Sequence, residues 1–426
     1  MRSEYLFFAY FIFMILEPNF DIGLLIALVF MGFIVLDIIW NQHNFFIKKL
    51  PKKRGQGVAL KAYFFLIIVQ ILMAFITVPF NYTKYSYDAI KSFVSTTLLP
   101  LIVMIYFLPH INIRKFLELM RGFGLVVACF GFIETVTRHY ILSTLGIGRE
   151  NGFYSYAGTE NFRTMVFFMH PGVAAIYMVM IFVLLLHMPF KKNIYQYIGH
   201  VFLAVSIYGT KTRMMWFAYI IIMLMFFMDR IRDIFKRCVI RKKTIYLTLT
   251  IGILSTMGVF IFRDAIESII RKMFEYVHLL FDSNNVYVSR VIRYENIQNV
   301  IRYVMANPIK LLYGGGFGYS NLFSANNGVK LYYGDVWNSG IDNQYIEFLL
   351  EEGLWGVIPF LMCVMIAYIY YYRLKDEINK IGCMFIVLIG LGSISFCTMG
   401  WRLPVFILQI GLFIMIYVNR GAHEEA

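Results

Sequence analysis

The chain has 426 residues, 60% of them apolar or aromatic and 15% charged, against about a quarter charged in ordinary soluble domains. A water-soluble core cannot bury that much apolar surface, which excludes a soluble enzyme, a disordered chain and a nucleic-acid module. The formal charge of +14 then has to be explained by where the basic residues sit along an apolar chain.

Apolar runs fall near 4–16, 20–40, 60–79, 92–109, 119–137, 166–188, 196–209, 213–229, 244–262, 346–372, 381–398 and 403–419. A helix of about 20 residues crosses a bilayer. The runs therefore predict an all-α polytopic membrane protein with about 12 transmembrane helices, the first and seventh being short. No small-residue cleavage site follows the first run, which reads as a spanning helix and not a signal peptide. With the N-terminus placed in the cytoplasm, 23 of the 39 Lys and Arg residues fall in inward loops, 8 in short outward loops and 8 in one long outward loop. The long loop does not vote on topology. This positive-inside pattern puts both termini in the cytoplasm and turns the basic clusters towards anionic membrane lipids.

Two outward segments, 138–165 and 263–345, are longer than plain connectors and are read as functional. In the second, Ile266, Ile269, Ile270, Met273, Val277 and Leu280 recur at intervals of three and four with charges between them. That spacing predicts an amphipathic helix lying along the membrane surface. A second helix is expected from Val288 to Ala306, stopped by Asn307-Pro308. The run Gly314-Gly315-Gly316-Phe317-Gly318 follows and reads as a tight turn. No cytosolic strand precedes it, as a phosphate-binding loop of the Walker type would need. The long segment carries 8 Lys and Arg against 7 Asp and Glu, which is no footprint for a nucleic acid. The expected organisation is nine spans over 1–262, a large, partly helical extracytoplasmic loop over 263–345, and three spans with a cytoplasmic tail over 346–426.

The five cysteines form no C-x-x-C pair, no two histidines stand at ligand spacing and no outward D-x-D occurs, so neither a metal site nor a cofactor is expected. What the chain does have is arginine at outward helix mouths. Arg163 precedes the sixth run, Arg213 closes the turn Thr210-Lys211-Thr212-Arg213, and Arg290 and Arg293 share one face of the second loop helix. An Arg at the bilayer centre costs about 2.5–3.5 kcal/mol on insertion scales. It persists where it snorkels, pairs or binds an anion, and guanidinium forks match phosphate oxygens. Asp342, at the mouth of the tenth run, reads either as a helix cap or as a general base towards a sugar hydroxyl, and the two roles are compatible. Glu351 and Glu352 enter an apolar stretch, so at least one is expected to face the protein interior or a water-filled cavity.

Taken in order and spacing, these residues resemble the O-antigen polymerase and O-antigen ligase superfamily. Arg163 through His170-Pro171 resembles the family's Arg ahead of a Pro-containing helix. Thr210-x-Thr212-Arg213 resembles its T-x-S-R turn. Ser289-Arg290-x-x-x-Tyr294, Asn307-Pro308 and the glycine run resemble its S-R-x-x-x-W, N-P and G-x-G-x-G sequence. Asp342-Asn343-x-Tyr345 and Glu352-Gly353-Leu354-x-Gly356 resemble its H-N-x-Y/L and E-G-x-x-G. Asp stands where ligases typically have His, and Tyr294 replaces the Trp, which shifts the reading from ligase towards polymerase.

The resemblance implies a GT-C-like glycosyltransferase of the bacterial inner or plasma membrane with an extracytoplasmic active site. It would join undecaprenyl-pyrophosphate-linked oligosaccharides, one as donor and one as acceptor, by inverting transfer without metal or cofactor. By the same resemblance Arg213 and Arg290 clamp the pyrophosphate with Arg163 and Arg293 assisting, and Asp342 activates the acceptor. Asn343, His170 and Tyr294 contribute to substrate binding, and a chain-length regulator is a further partner. A ligase-type transferase using another acceptor and a polysaccharide or lipid-linked sugar flippase are the alternatives.

Overall fold

The computed structural model describes residues 3–20, 29–30, 32, 57–80, 84–107, 110–146, 152–236, 288–326, 330–333, 336–339, 343–394 and 398–416. The chain divides into two compact units, residues 1–222 with 300–426, and residues 223–299. The larger unit begins with α1 (Ser3–Phe20), α2 (Gly57–Phe80), α3 (Lys84–Phe107) and α4 (Ile113–Thr137). It continues with the short α5 (Ile141–Thr144), α6 (Pro171–His187), α7 (Asn193–Gly209) and the start of α8 (Arg213–Lys236). After the end of α9 (Val288–Met305) come α10 (Pro308–Tyr313), α11 (Tyr319–Asn326), α12 (Gln344–Glu351), α13 (Leu354–Tyr371), α14 (Glu377–Gly392) and α15 (Arg402–Ile416). The described part of the smaller unit consists of the later turns of α8 and the first turns of α9.

Helix α6 is apolar on every side, and every residue from Pro171 to Leu185 is buried. A helix with no polar face belongs at the centre of a bundle. Helix α14 is buried almost throughout and packs on α15. Glycines set that crossing: a Cβ on Gly382 would lie 2.6 Å from the Gly411 carbonyl oxygen, and one on Gly411 2.8 Å from that of Gly382. Small residues of this kind let membrane helices approach backbone to backbone. Helix α13 packs on α2, where the Cys363 thiol donates to the Ala59 carbonyl. The outward faces of α2 and α13 expose Phe65, Ile68, Leu72, Phe75, Ile358 and Met365, as lipid-facing helices do.

One buried amide ties three of these helices together. The Gln409 amide donates to the Tyr63 hydroxyl and to the Thr97 carbonyl, both at 2.9 Å. Thr97 sits in a π-helical turn, Val94–Leu98, inside α3. A π turn widens the backbone ladder, and Gln409 reaches a carbonyl within it.

Among the described residues, five helices are long and apolar enough to cross a membrane, within Gly57–Ile76, Lys84–Phe107, Ile113–Thr137, Arg213–Arg232 and Leu354–Tyr371. Three shorter apolar helices accompany them, Glu4–Leu16, Pro171–His187 and Arg402–Met415. The protein is thus a polytopic α-helical membrane protein. The expected span at 244–262, the amphipathic segment at 264–280 and most of 20–40 lie outside the described residues.

Three details differ from the sequence reading. The run 346–372 is two helices, because Gly353 takes φ 67° between α12 and α13. The run 166–188 becomes helical only at Pro171, since Val166 has φ 54° and Pro171 occupies a first-turn position that needs no N–H donor. The expected all-α class gains one small exception within the partly helical loop: Lys330–Tyr333 and Val336–Ser339 pair as a two-stranded antiparallel ribbon with Tyr332 opposite Trp337.

Replacing Gly382 by Leu should destabilise the protein by roughly 1–3 kcal/mol, the range for overpacking. Gly122→Ala, inside α4 where a Cβ meets nothing within 4 Å, should not destabilise and should gain up to about 1 kcal/mol from helix propensity. Thermal midpoints in detergent check both, and an unchanged midpoint for Gly382→Leu would mean that α14 and α15 do not touch there.

Candidate functional site

Residues 140–170 fold around a small aromatic core. Tyr140, Phe153, Phe162 and Met165 are buried together, with Tyr154 and Tyr156 against them. Arg163 sits between two anchored neighbours. On one side Phe162 packs tilted against Tyr140 at 4.6 Å between ring centroids. On the other, buried Thr164 meets the Thr135 hydroxyl at 2.7 Å, and its N–H donates to the Gly209 carbonyl at 2.9 Å. Only glycine fits at 209, because a Cβ there would lie 2.3 Å from Thr135 Oγ1 and 2.5 Å from Thr164 Oγ1. The backbone at Arg163 is therefore fixed while its side chain is exposed.

The chain leaving Gly209 makes the Thr210-Lys211-Thr212-Arg213 turn. Thr210 is buried and bonds back to Ile207, as does the Trp216 indole. Lys211 takes a left-handed φ of 52°, and its ammonium donates to the Glu160 carbonyl. Burial pushes the Lys211 pKa down, and the guanidinium groups of Arg163 and Arg138 push it further in the same direction. The Glu160 carboxylate opposes them, so Lys211 senses two cations and one anion, a net positive surrounding. Arg138 ends α4 with φ 55°. Arg213 opens α8 two residues after Lys211, with its side chain exposed. Clustered like charges repel one another and favour a multivalent anion. The sequence reading named Arg163 and Arg213 but passed over Lys211, which lay inside the quoted turn, and Arg138, which no spacing marked.

His170 caps α6. Its Nδ1 accepts from the Gly172 N–H at 3.1 Å, so the proton of the neutral ring is on Nε2. The ring packs on Trp401 at 5.3 Å and on Phe153 at 6.0 Å. This contact joins the 140–170 lobe to the turn Thr398–Trp401, which in turn holds the start of α12. The Met399 N–H donates to the Gln344 side chain at 2.8 Å, and the Gln344 N–H to Ser393 at 2.9 Å. Asn343 donates through Nδ2 to the Ile394 carbonyl and accepts from the N–H groups of Tyr345 and Ile346 at 3.0 and 3.2 Å. The cap considered for Asp342 is thus supplied by Asn343, whose extended backbone aims its amide oxygen along the helix axis. Asp342 lies outside the described residues, as do the side chains of Arg290, Arg293 and Tyr294 on the first turns of α9.

The glycine run docks on the other end of α12. Gly314, Gly316 and Gly318 have φ of 72°, 89° and 76°. The N–H groups of Gly315 and Gly316 donate to the carbonyls of Leu350 and Glu351 at 2.7 and 2.9 Å. A Cβ on Gly314 would sit 2.2 Å from the Glu351 carbonyl oxygen, and one on Gly353 2.5 Å from that of Leu312. Glu351 Oε1 accepts from the N–H of Gly318 at 3.1 Å and from the Ser320 hydroxyl. Glu352 turns back over Gly356 and accepts from the Gln70 amide at 3.3 Å. Both carboxyls are buried, as the apolar setting led us to expect of at least one. Burial, with Glu347 adding to it, raises the Glu351 pKa to about 8, and burial beside Glu351 raises that of Glu352. Among the described residues no three His, Cys, Asp or Glu gather as metal ligands.

Residues 198–361 match the family described as O-Antigen ligase (Wzy_C). The match supports the O-antigen ligase and polymerase superfamily and, broadly, an activity of that type on lipid-linked glycans. It spans Arg213, Arg290, Arg293, Tyr294, Asp342, Asn343 and the interlocked glycine and Glu-Glu-Gly segments, and it leaves Arg163 and His170 outside. No curated protein matches the chain.

The Glu351 shift has a measurable sign. The folded state keeps a proton up to about pH 8 that the unfolded chain releases near 4.5, so stability falls as pH rises between those values and levels off above. Glu351→Gln removes this contribution. The difference in thermal midpoint between wild type and variant should shift in favour of the variant from pH 5 to pH 8, and a pH-independent difference would show the carboxyl to be ionised throughout.

Proposed function

We propose that the protein is a polysaccharide polymerase that joins undecaprenyl-pyrophosphate-linked repeat units on the extracytoplasmic face of a bacterial membrane. The observation that carries this reading is the gathering of Arg138, Arg163 and Lys211 beside the Thr210–Arg213 turn, in a lobe tied through His170 and Trp401 to the start of α12. The positive-inside distribution of Lys and Arg supports the outward placement of this end.

In this mechanism the donor diphosphate is held by Arg163, Lys211 and Arg213, and the roles of Arg290 and Arg293 as further phosphate ligands rest on the family resemblance alone. Asp342 takes the proton of a hydroxyl at the non-reducing end of the acceptor repeat. That oxygen bonds to the anomeric carbon of the donor from the side opposite the diphosphate. The anomeric C–O bond breaks, and undecaprenyl pyrophosphate leaves with the electron pair. One displacement inverts the anomeric centre. The cations stabilise the charge that grows on the leaving group, as preorganised donors do at an oxyanion. By the resemblance, Asn343, His170 and Tyr294 are assigned to substrate binding, and a chain-length regulator would act on the product. A ligase-type transfer to another acceptor is the second reading, favoured by the description of the matching family itself.

Purified protein given lipid-linked repeat units alone should produce a ladder of longer lipid-linked products. Transfer that appears only after a different acceptor is added would make it a ligase, and no transfer to any acceptor would leave a flippase. Arg213→Ala and Arg290→Ala should each lower turnover by about 10²–10³-fold, the scale for removing one charge-stabilising donor. Near-normal product from either variant would remove that residue from the clamp. Because Asn343 holds the cap, Asp342→Asn leaves α12 intact and should still lose about 10²-fold or more, the scale of general-base catalysis. Wild-type turnover in Asp342→Asn would remove Asp342 as the base.

A further inference from the structure

Glu134 is fully buried in the last turn of α4 and lies outside the matched family segment. Its two carboxyl oxygens serve two different pieces of chain. Oε1 accepts from the Ile141 N–H at 3.0 Å. Oε2 accepts from the N–H groups of Met165 and Val166 at 3.2 and 2.8 Å. Val166 has φ 54°, a left-handed conformation that a β-branched residue rarely adopts. Successive N–H groups in such a turn form a concave anion receptor, and here the receptor is filled by the protein's own carboxylate. Thr135, the next residue on α4, grips Thr164 through its hydroxyl. Adjacent residues at the end of one helix thus hold 164, 165 and 166, immediately after Arg163.

We infer that Glu134 is a positioning residue for the diphosphate site: it locks the 165–166 backbone in a conformation the sequence would not hold by itself, and so fixes where Arg163 projects beside Arg138 and Lys211. The inference rests on the anion-binding reading of that cluster. It gives the carboxylate a purpose beyond satisfying local backbone, because the segment it holds carries the clamp. Without it, Val166 relaxes to an ordinary φ and Arg163 leaves the cluster.

The test is a double-mutant cycle on the full-length protein in detergent, with inorganic pyrophosphate as the probe and calorimetry as the readout. Arg163→Ala and Glu134→Ala should each weaken pyrophosphate binding about tenfold, the scale of one charge-assisted hydrogen bond. The double variant should bind no worse than Arg163→Ala, because Glu134 acts through Arg163 and the losses are not additive. A folded Glu134→Ala with wild-type affinity, or losses that add in the double variant, would overturn the positioning role while leaving the anion site in place. Wild-type affinity in Arg163→Ala, or no pyrophosphate binding by the wild type, would instead remove the anion site and the inference with it. Should Glu134→Ala fail to fold, the same cycle runs with Glu134→Gln, whose single acceptor oxygen cannot serve donors on both sides.

Discussion

Backbone that leaves a helix next to a bilayer carries N–H groups with neither a helical partner nor bulk water to take them. In this protein two buried carboxyls at helix ends answer that demand. Glu134, at the end of α4, collects Ile141, Met165 and Val166. Glu351, at the end of α12, collects Gly318 and Ser320. Each carboxyl is costly to bury and each is offset by several donors from an irregular segment. The segment after Arg163 is tied to Glu134, and the glycine turn to Glu351.

The glycine motifs take their meaning from the same geometry. The glycine run and the Glu-Glu-Gly segment are far apart in the chain yet form one interlocked piece, in which Gly314 and Gly353 each lie where a Cβ would strike the other strand's carbonyl group. Gly356 provides the space into which Glu352 folds. The spacing E-G-x-x-G is therefore a packing rule: the first glycine turns the chain between two helices, and the second, one turn on, makes room for the preceding carboxyl. None of this places a glycine on a ligand, and it leaves the cations as the chemically expressive part of the site.

Those cations show why residue type alone was an incomplete guide. Arg163 and Arg213 stood out because they flank apolar runs. Lys211 was equally close to its run but was masked by the more familiar arginine in the same turn. Arg138 was an ordinary loop residue until the left-handed end of α4 and the turn after α7 brought it near Lys211. His170 and Asn343, both expected in substrate binding, also have structural tasks as helix caps, which any mutational result at these positions must take into account.

Composition and the length of the apolar runs determined the class of the protein, because no soluble fold can bury so much apolar surface and continuous apolar runs of about 20 residues span lipid as helices, whereas barrel strands are shorter and alternate in polarity. Local signals also sufficed for the helix ending before Asn307-Pro308, for the burial of a Glu at 351 or 352 and for the family resemblance, since each depends on residues close together in the chain. The break between α12 and α13, the choice of Asn343 over its neighbour as cap, the hold of Glu134 on Val166 and the meeting of Arg138, Arg163 and Lys211 were decided only in three dimensions. Each depends on groups that come together after distant helices have packed, and a one-dimensional pattern carries no record of which acceptor will stand opposite which donor.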